Sequence, residues 1–271
     1  MWHPDGWDVH VRLGVLTPHA DVGPESELRA MAPPGVGLHA ARVPFAAMRR
    51  GGAVVRGGGE DPTVALASVR AFAEPPGVDD AVELLAAAPV SVIAYAFTSS
   101  AYVIGGRAEA HMVARLGERA YGLPVVTTCL ATVEALRALG VGRICLVDPP
   151  WFDGTLSDLG RGYYEDAGFE VPYAAPCGLP DGQDGQDCQD GQDLVRPGDL
   201  YEWVVPRVPD EAEAVVIGGN GFRSVGAVEA LEAALGRPVL TANQALLWSA
   251  LRAAGAPTSG VVHYGRLFAA G

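Results

Sequence analysis

Three consecutive hydroxyl side chains stand at a point in the sequence where ligands commonly bind. Thr98, Ser99 and Ser100 follow the apolar run Pro89–Ala94, which is typical of a buried strand. Open α/β sheets bind ligands at the carboxyl ends of their strands. The three hydroxyls, with the unpaired N–H groups of a helix that begins here, can donate hydrogen bonds to an anion. The alternative is structural: Thr98 and Ser99 only cap the helix.

A second polar turn follows the apolar run Ala214–Ile217. Its residues Gly219 and Gly221 can leave backbone N–H groups open to a ligand, and Asn220 between them adds an amide. The alternative is that the glycines only make the turn. Two such turns at matching points of an internal repeat favour a ligand site between them.

A third strand exit carries an acid/base pair. The run Leu13–Leu16 ends in Thr17-Pro18-His19-Ala20-Asp21. His19 titrates near neutral pH, and either it or Asp21 can carry a proton. Thr17 and Pro18 are further candidates for substrate binding. The alternative is that Asp21 caps a turn and His19 hydrogen-bonds to it.

An alternation of strand-like and helix-like segments must place these residues. Apolar runs that predict strands recur along the chain: Leu13–Leu16, Val90–Ile93, Val125–Val126, Ile144–Val147, Ala214–Ile217 and Val239–Leu240. Helical segments rich in Ala and Leu lie between them. This order predicts an α/β fold with parallel sheets and helical crossovers.

An internal repeat divides the chain. PVVTTCLATVEALRALG, from Pro124 to Gly140, matches PVLTANQALLWSALRAAG, from Pro238 to Gly255. A repeated strand–turn–helix unit predicts two similar α/β halves whose strand-end turns face one cleft. We assign residues 1–124 plus 240–271 to the first half and 125–239 to the second, with a low-complexity loop at about 178–199.

Composition excludes several classes of function. The 271 residues carry a net charge of −13, and all 19 basic residues are arginine. The acidic balance argues against nucleic acid and anionic membranes as partners. The absence of lysine excludes Schiff-base chemistry and the P-loop lysine. We find neither an apolar run long enough to span a membrane nor a signal pattern at the N-terminus, and expect a cytoplasmic protein.

The cysteines and the low-complexity loop are assigned no chemistry. Cys129, Cys145, Cys177 and Cys188 form no CxxC pair and no zinc spacing with histidine, so no metal is predicted and the thiols are expected to be dispensable. Acidic residues recur every three positions of the loop. They are Asp181, Asp184, Asp187, Asp190 and Asp193. The pattern predicts a solvated, mobile surface loop, because a calcium loop would need a different spacing and a closing glutamate.

The segments quoted above, together with GVLTP, PESELRAM, the TSS turn and GRLF, resemble the aspartate/glutamate racemase superfamily. The resemblance is greatest to its maleate cis-trans isomerase and arylmalonate decarboxylase branch, and runs from about Arg12 to Phe268. It implies two Rossmann-like halves related by a pseudo-twofold, with the site between them and no metal or organic cofactor. It also implies a hydroxyl and N–H pocket that holds a carboxylate and stabilises an enediolate. Thr98 and Ser99 match this pocket, as do the N–H groups around Asn220.

The chain departs from the family at its proton-transfer positions. Phe97 and Gly219 stand where the family typically has catalytic cysteines. Asp21 stands where it has asparagine, and Pro150 replaces an expected tyrosine. The resemblance therefore implies a retained anion pocket without the familiar proton carriers.

We interpret the chain as a cofactor-independent isomerase or decarboxylase-like lyase for a small carboxylic acid, with Asp21 or His19 as proton carrier. Phe97, Trp151 and Phe222 could form an apolar wall against a hydrophobic part of the substrate. A non-catalytic carboxylate-binding protein derived from such an enzyme is the alternative, and a scaffolding role is a third. The only partner predicted is the small acid, and a homo-oligomer is left open.

Overall fold

The computed structural model describes residue 3 and residues 5–48, 63–179 and 191–270. The described strands are β1 (Val11–Pro18), β2 (Val36–Val43), β3 (Val92–Tyr95), β4 (Val125–Thr127), β5 (Arg143–Asp148), β6 (Glu170–Pro176), β7 (Ala214–Ile217) and β8 (Val239–Thr241). The described α-helices are α1 (Gly23–Met31), α2 (Thr63–Phe72), α3 (Gly77–Ala86), α4 (Thr98–Ile104), α5 (Gly106–Arg119), α6 (Thr128–Ala138), α7 (Gly154–Asp166), α8 (Gly191–Leu194), α9 (Pro197–Val204), α10 (Val228–Leu235) and α11 (Ala242–Ala253).

The strands form two parallel sheets of four. The first has the order β2-β1-β3-β4 and the second the order β6-β5-β7-β8. Counted within each half, both sheets therefore have the same order, 2-1-3-4. Two halves of identical topology are what the predicted pseudo-twofold requires, so the predicted fold class is confirmed.

The central strands are apolar because helices cover both faces of each sheet. All four residues of β3 and of β7 are buried, as is usual in parallel sheets. A fully buried Val, Leu or Ile side chain stabilises the fold by roughly 1.5–3 kcal/mol. Edge strands β2 and β6 are only partly buried. They lack a continuous apolar run, which is why the strand prediction above omits them.

One hydrophobic cluster joins the two halves. It contains Val15 and Val92 of the first sheet together with Ile144 and Val216 of the second. Helix α11 packs against β3 and β4 as well as against β8. Strand β4 pairs with β3, so Val125–Thr127 lie in the first sheet, although our division placed them in the second half. The division into domains remains a prediction.

The C-terminal part of the predicted low-complexity loop is folded. Gln192 and Val195 are buried, and α8 and α9 occupy this part. The prediction of a solvated loop is therefore wrong at these residues, because the Gln192 amide has a buried polar partner and Val195 joins an apolar cluster. Asp181, Asp184, Asp187 and Asp190 lie outside the described residues, as does the side chain of Asp193. In the described part of the chain, no helix is long and apolar enough to cross a membrane.

Candidate active site

The turns that follow β3 and β7 meet at a single oxygen atom. Asn220 Oδ1 accepts hydrogen bonds from the Thr98 N–H at 2.9 Å and from the Thr98 hydroxyl at 2.8 Å. The hydroxyl of Thr128, which begins α6, shares its one hydrogen between the same oxygen at 3.1 Å and the Tyr95 carbonyl at 3.2 Å. Asn220, Thr98 and Thr128 are buried. Three donors from one sheet thus converge on one acceptor from the other, which is the arrangement that stabilises an oxyanion.

A second set of bonds fixes the orientation of the Asn220 amide. Its Nδ2 donates to Asn243 Oδ1 at 2.8 Å. Asn243 Nδ2 in turn donates to Glu27 Oε2 and to the Asn220 carbonyl, both at 2.8 Å. Glu27 Oε1 also accepts from the N–H groups of Ser224 and Val225, at 2.6 and 3.0 Å. Burial nevertheless raises the Glu27 pKa to about 7. A buried carboxyl on α1 therefore holds the whole turn after β7.

The three hydroxyls of the first turn have different partners. Thr98 is bonded to Asn220 as described. Ser100 Oγ donates to the Phe97 carbonyl at 3.0 Å and lies 3.0 Å from the Tyr95 hydroxyl, so it stabilises the start of α4. Ser99 is buried, and its hydroxyl makes no hydrogen bond within the described part of the chain. Ser99 is therefore the hydroxyl of this group that can bind a ligand without breaking an internal bond.

Backbone N–H groups line the second turn. Among the described residues, no acceptor pairs with the N–H of Gly219, Asn220 or Gly221. Gly219 has a φ of +82°, and a Cβ atom there would lie 2.2 Å from Pro149 Cγ. A Cβ at Gly221 would lie 2.3 Å from Gln192 Nε2 and 3.0 Å from Asp21 Oδ2. Glycine is therefore required at both positions, because neighbouring atoms lie too close to leave room for a larger side chain.

Asp21 lies beside this turn. Its Oδ1 accepts from the Gly23 N–H at 2.8 Å and from Gln192 Nε2 at 3.1 Å. Arg42 Nη1 donates to the Asp21 carbonyl at 2.9 Å. Burial raises the Asp21 pKa to about 6, against the lowering effect of the bonds from Gly23 and Gln192 and of the Arg42 charge. Asp21 does cap a turn, and it is also a carboxyl that titrates near neutral pH.

The other residues of the first strand exit are arranged differently. His19 is exposed, and its Nδ1 accepts from the Phe45 N–H at 3.1 Å. In the described part of the chain His19 makes no hydrogen bond to the Asp21 side chain. Thr17 and Pro18, the last residues of β1, are buried. The Thr17 hydroxyl has no partner among the described residues.

The three aromatic residues predicted to form a wall lie in two groups. The Phe97 ring centroid is 4.9 Å from that of Phe45 and 4.2 Å from that of Phe72. The rings of Trp151 and Phe222 pack edge to face at 5.8 Å. No ring contact joins the two groups within the described residues, so a single wall that includes all three remains a prediction.

A further buried carboxyl lies on the other side of the glycine turn. Asp148, at the end of β5, accepts from the Tyr102 hydroxyl at 3.2 Å and from the Ser157 hydroxyl at 2.7 Å. A Cβ on Gly218 would lie 2.6 Å from its Oδ1. Burial raises the pKa of Asp148 to about 7. The turn after β7 is thus flanked by Asp148 and Asp21, both of which titrate far above the usual range of aspartate.

The thiols are buried and protonated. Burial raises the pKa of Cys145 to about 12, that of Cys177 to about 11 and also that of Cys129. Cys129 Sγ donates a weak bond to the Thr98 carbonyl at 3.7 Å, which makes it a support for the first turn. Cys188 lies outside the described residues. Across the described ranges, no group of three His, Cys, Asp or Glu side chains could hold a metal ion.

Sequence reasoning missed five residues of this network: Glu27, Thr128, Asn243, Asp148 and Gln192. Thr128 and Asn243 follow the last strands of the two repeat units, so the repeat offered a signal for both. Asp148 ends a predicted strand and could have been found in the same way. Gln192 offered no such signal, because it lies in a stretch whose composition predicts a solvated loop.

The chain matches a family model and one curated protein. The model of the arylmalonate decarboxylase family matches residues 75–268. Arylmalonate decarboxylase of Bordetella bronchiseptica is 28% identical over 179 residues, which cover 66% of this chain and 71% of that protein.

Solved structures of the same kind share the fold. The maleate isomerase of Pseudomonas putida S16 with bound maleate is 21% identical with a TM-score of 0.77, covering 96% of this chain and 98% of that one. Arylmalonate decarboxylase itself gives 20% identity and a TM-score of 0.71, over 95% and 99% of the two chains. A maleate cis-trans isomerase of Nocardia farcinica, which holds a covalent succinylcysteine intermediate, is 24% identical with a TM-score of 0.76, over 95% and 98%. These relatives are enzymes of the isomerase and lyase type.

Proposed function

Because the chain belongs to the arylmalonate decarboxylase family, we propose that it is a cofactor-independent isomerase or lyase for a small carboxylic acid. The reaction runs through an enediolate held between the turns after β3 and β7. The observation that carries the proposal is the convergence of the Thr98 and Thr128 donors on one oxygen atom. A pocket built from donors on three sides suits an atom that becomes more negative during a reaction.

The substrate carboxylate takes the place of the Asn220 amide oxygen. One carboxylate oxygen accepts from Thr98 and Thr128, and the other accepts from the Ser99 hydroxyl and the N–H groups of the glycine turn. Hydrogen bonds to a charged acceptor are roughly twice as strong as those to a neutral one, which favours the exchange. Each donor aimed at a developing oxyanion is worth roughly 2.7–4 kcal/mol in the transition state.

Asp21 carries the proton. A group whose pKa lies near the working pH is the best general acid or base, and the Asp21 pKa is raised to about 6. In a decarboxylation the bond to the departing carboxylate breaks, its electron pair enters the enediolate, and the Asp21 proton moves to the α-carbon. In an isomerisation at the α-carbon, ionised Asp21 removes the proton to form the enediolate, and protonated Asp21 returns it after the enediolate has turned its other face to Asp21. A protonated Asp21 is neutral and does not repel the substrate.

The test is solvent deuterium incorporation into candidate acids, with arylmalonates and α-substituted carboxylic acids as the first panel. Asp21→Asn should abolish exchange and leave carboxylate affinity nearly unchanged, because the Asn oxygen still accepts from the Gly23 N–H. His19→Gln should only slow the reaction, because His19 is exposed and bonded to Phe45. Wild-type exchange by Asp21→Asn would assign Asp21 a structural role.

A specific observation favours a second function, that of a non-catalytic carboxylate-binding protein. The positions implied by the resemblance for catalytic cysteines hold Phe97 and Gly219, and Pro149 fills the space where a side chain at 219 would lie. Phe97 packs against Phe45 and Phe72. Acids that bind by calorimetry without any deuterium exchange would favour this function over the enzyme.

A further inference from the structure

Gln192 contacts the candidate site from a segment whose composition predicts a solvated loop. It is the last glutamine of the Asp-Gly-Gln repeat and lies in α8. Its side chain is inside the protein, with the residue only 7% exposed. Its Nε2 donates to Asp21 Oδ1 at 3.1 Å, across 171 positions of sequence. Its Oε1 is buried without a partner among the described residues, so the bond to Asp21 is the one that satisfies this amide there. Loss of that bond would leave a buried polar group unpaired, which is costly.

The two oxygens of Asp21 have different surroundings. Oδ1 accepts two hydrogen bonds, from the Gly23 N–H and from Gln192. Oδ2 accepts none from the described residues. It lies 3.0 Å from the position that a Cβ of Gly221 would take, beside the glycine turn. Because Oδ1 already accepts two hydrogen bonds, Oδ2 is the oxygen better placed to carry a proton.

We propose that Gln192 is a positioning residue for proton transfer, which holds Asp21 Oδ1 so that Oδ2 exchanges the proton with the substrate. This inference rests on the proposed role of Asp21 as proton carrier. Gln192 itself does not touch the reacting atoms. It acts by fixing the rotation of the carboxyl group, which proton transfer requires to be within hydrogen-bond reach of the reacting carbon.

The groups that face Asp21 set its titration together with Gln192. Arg42 approaches from β2, and Glu25 and Glu27 approach from α1. Burial is the largest effect and raises the Asp21 pKa, whereas the Gln192 bond lowers it. With the other groups unchanged, loss of the amide should raise the pKa further. The free energy of a hydrogen bond to a charged group corresponds to a pKa shift of about 1–2 units.

The direct test is a carbon NMR titration of Asp21 in protein labelled at aspartate side chains, with the signal assigned through Asp21→Asn. Gln192→Ala should raise the Asp21 pKa by about 1–2 units. Gln192→Glu has the same shape and should raise it at least as much, because it adds a negative charge. Leu194→Ala is the matched control, since Leu194 lies on the same short helix but is 45% exposed. It should leave the titration unchanged.

The second readout is the pH profile of deuterium exchange. In Gln192→Ala, the part of this pH profile that reflects Asp21 should shift along the pH axis by the same amount as the NMR titration. The kcat should fall, and the KM should change little. Gln192→Glu should recover activity at low pH, where its protonated carboxyl can again donate to Oδ1.

Three results would overturn the proposal: an unmoved titration in Gln192→Ala, an equal shift in Leu194→Ala, or a moved titration without a moved kcat profile. A native protein that exchanges no acid would instead refute the proposed function, and the titration would still decide the Gln192 contact.

Discussion

The turns after β3 and β7 occupy the same position in two halves of identical topology, yet they are built in opposite ways. The first supplies hydroxyl side chains from Thr98 to Ser100, and α4 begins at once. The second runs from Gly218 to Gly221, exposes backbone N–H groups and has no room for larger side chains at Gly219 and Gly221. The one strong contact between them joins donors of the first to an oxygen of the second.

Two copies of one repeated unit thus form a single asymmetric site. The first turn donates from the N–H and hydroxyl of Thr98, and the second accepts through the amide oxygen of Asn220. These bonds hold the two halves together at their strand ends. The supports differ as well. Glu27 accepts bonds from Ser224 and Val225, just after the second turn. No carboxyl bonds to Thr98, Ser99 or Ser100 in the described part of the chain.

The largest effect should come from adding a methyl group to the second turn. Gly219→Ala combines the strain of a positive φ, about 1–3 kcal/mol, with a clash against Pro149 worth about 1–3 kcal/mol more. Gly140→Ala is the control, because Gly140 has a φ of +69° with open space around it. Urea unfolding should show the larger loss for Gly219→Ala, and Pro149→Ala should restore part of it. Equal losses of unfolding free energy at both glycines would show that the clash with Pro149 does not affect stability.

The titratable support of the second turn should make stability depend on pH. Glu27, Asp21 and Asp148 have folded pKa values raised to about 7, 6 and 7. The folded protein therefore holds protons that the unfolded chain releases, and the free energy of unfolding should fall as pH rises from about 4 to about 7. Each unit of pKa shift corresponds to about 1.4 kcal/mol. Denaturant titrations at pH 5 and pH 8 measure the fall.

Glu27→Gln should reduce that dependence, since it replaces one of the three titrating carboxyls with a neutral amide. Asp199→Asn on the exposed start of α9 is the matched control and should leave the slope unchanged. A native protein as stable at pH 8 as at pH 5 would contradict the assignment of raised pKa values to this region.

The contact between the turns should appear as a coupling energy. Thr98→Val removes one of the three donors to Asn220 Oδ1. Asn220→Ala leaves the buried Thr98 N–H and hydroxyl without this acceptor, which costs about 1–3 kcal/mol. The double variant should be less destabilised than the sum, by roughly 0.5–3 kcal/mol. Thr132→Val is a control, because its hydroxyl bonds within α6 to the Thr128 carbonyl and should not couple to Asn220. Strict additivity of Thr98→Val and Asn220→Ala would mean that the halves do not hold each other here.

The smallest effect on stability should come from Ser99, the unpaired member of the first turn. Ser99→Ala removes no internal hydrogen bond, so the free energy of unfolding should change by less than about 0.5 kcal/mol. Affinity for a carboxylate should nonetheless fall about tenfold, by the roughly 1.5 kcal/mol of a charged hydrogen bond. Ser100→Ala should show the reverse pattern, because Ser100 bonds to Tyr95 and Phe97. Calorimetric titration with a bound acid separates the two serines.

The fold follows from the sequence wherever burial is complete. The apolar runs of β1, β3, β5 and β7 are visible because both faces of these strands are covered, and the edge strands β2 and β6 are missed because theirs are not. The polar turns are found for a similar reason, since a strand exit leaves a clear change from apolar to polar residues. Thr98 and Asn220 were both predicted as site residues, but their bond to each other was not. It depends on how the two sheets face each other, and no local pattern encodes that.

Gln192 shows the limit of composition as a guide. A repeat of Asp, Gly and Gln cannot build a core by itself, so its composition predicts solvation. One amide within it is nonetheless buried, because Asp21 offers a buried carboxyl on an element far away in sequence. Pairing of this kind is a property of two distant residues together. Glu27 was hidden in the same way, since its partners come from the segment after β7 and from α11.

Asn220 Oδ1 has a consequence for which molecules the pocket admits. It belongs to the protein and is therefore always present at high effective concentration. A ligand must displace it to accept hydrogen bonds from Thr98 and Thr128. A neutral ester or amide offers an oxygen no better than the one it must displace, whereas an ionised acid offers a charge. Under the proposed function, the internal amide therefore favours the binding of anions, and an acid loses this advantage over the Asn220 side chain at a pH low enough to protonate the acid.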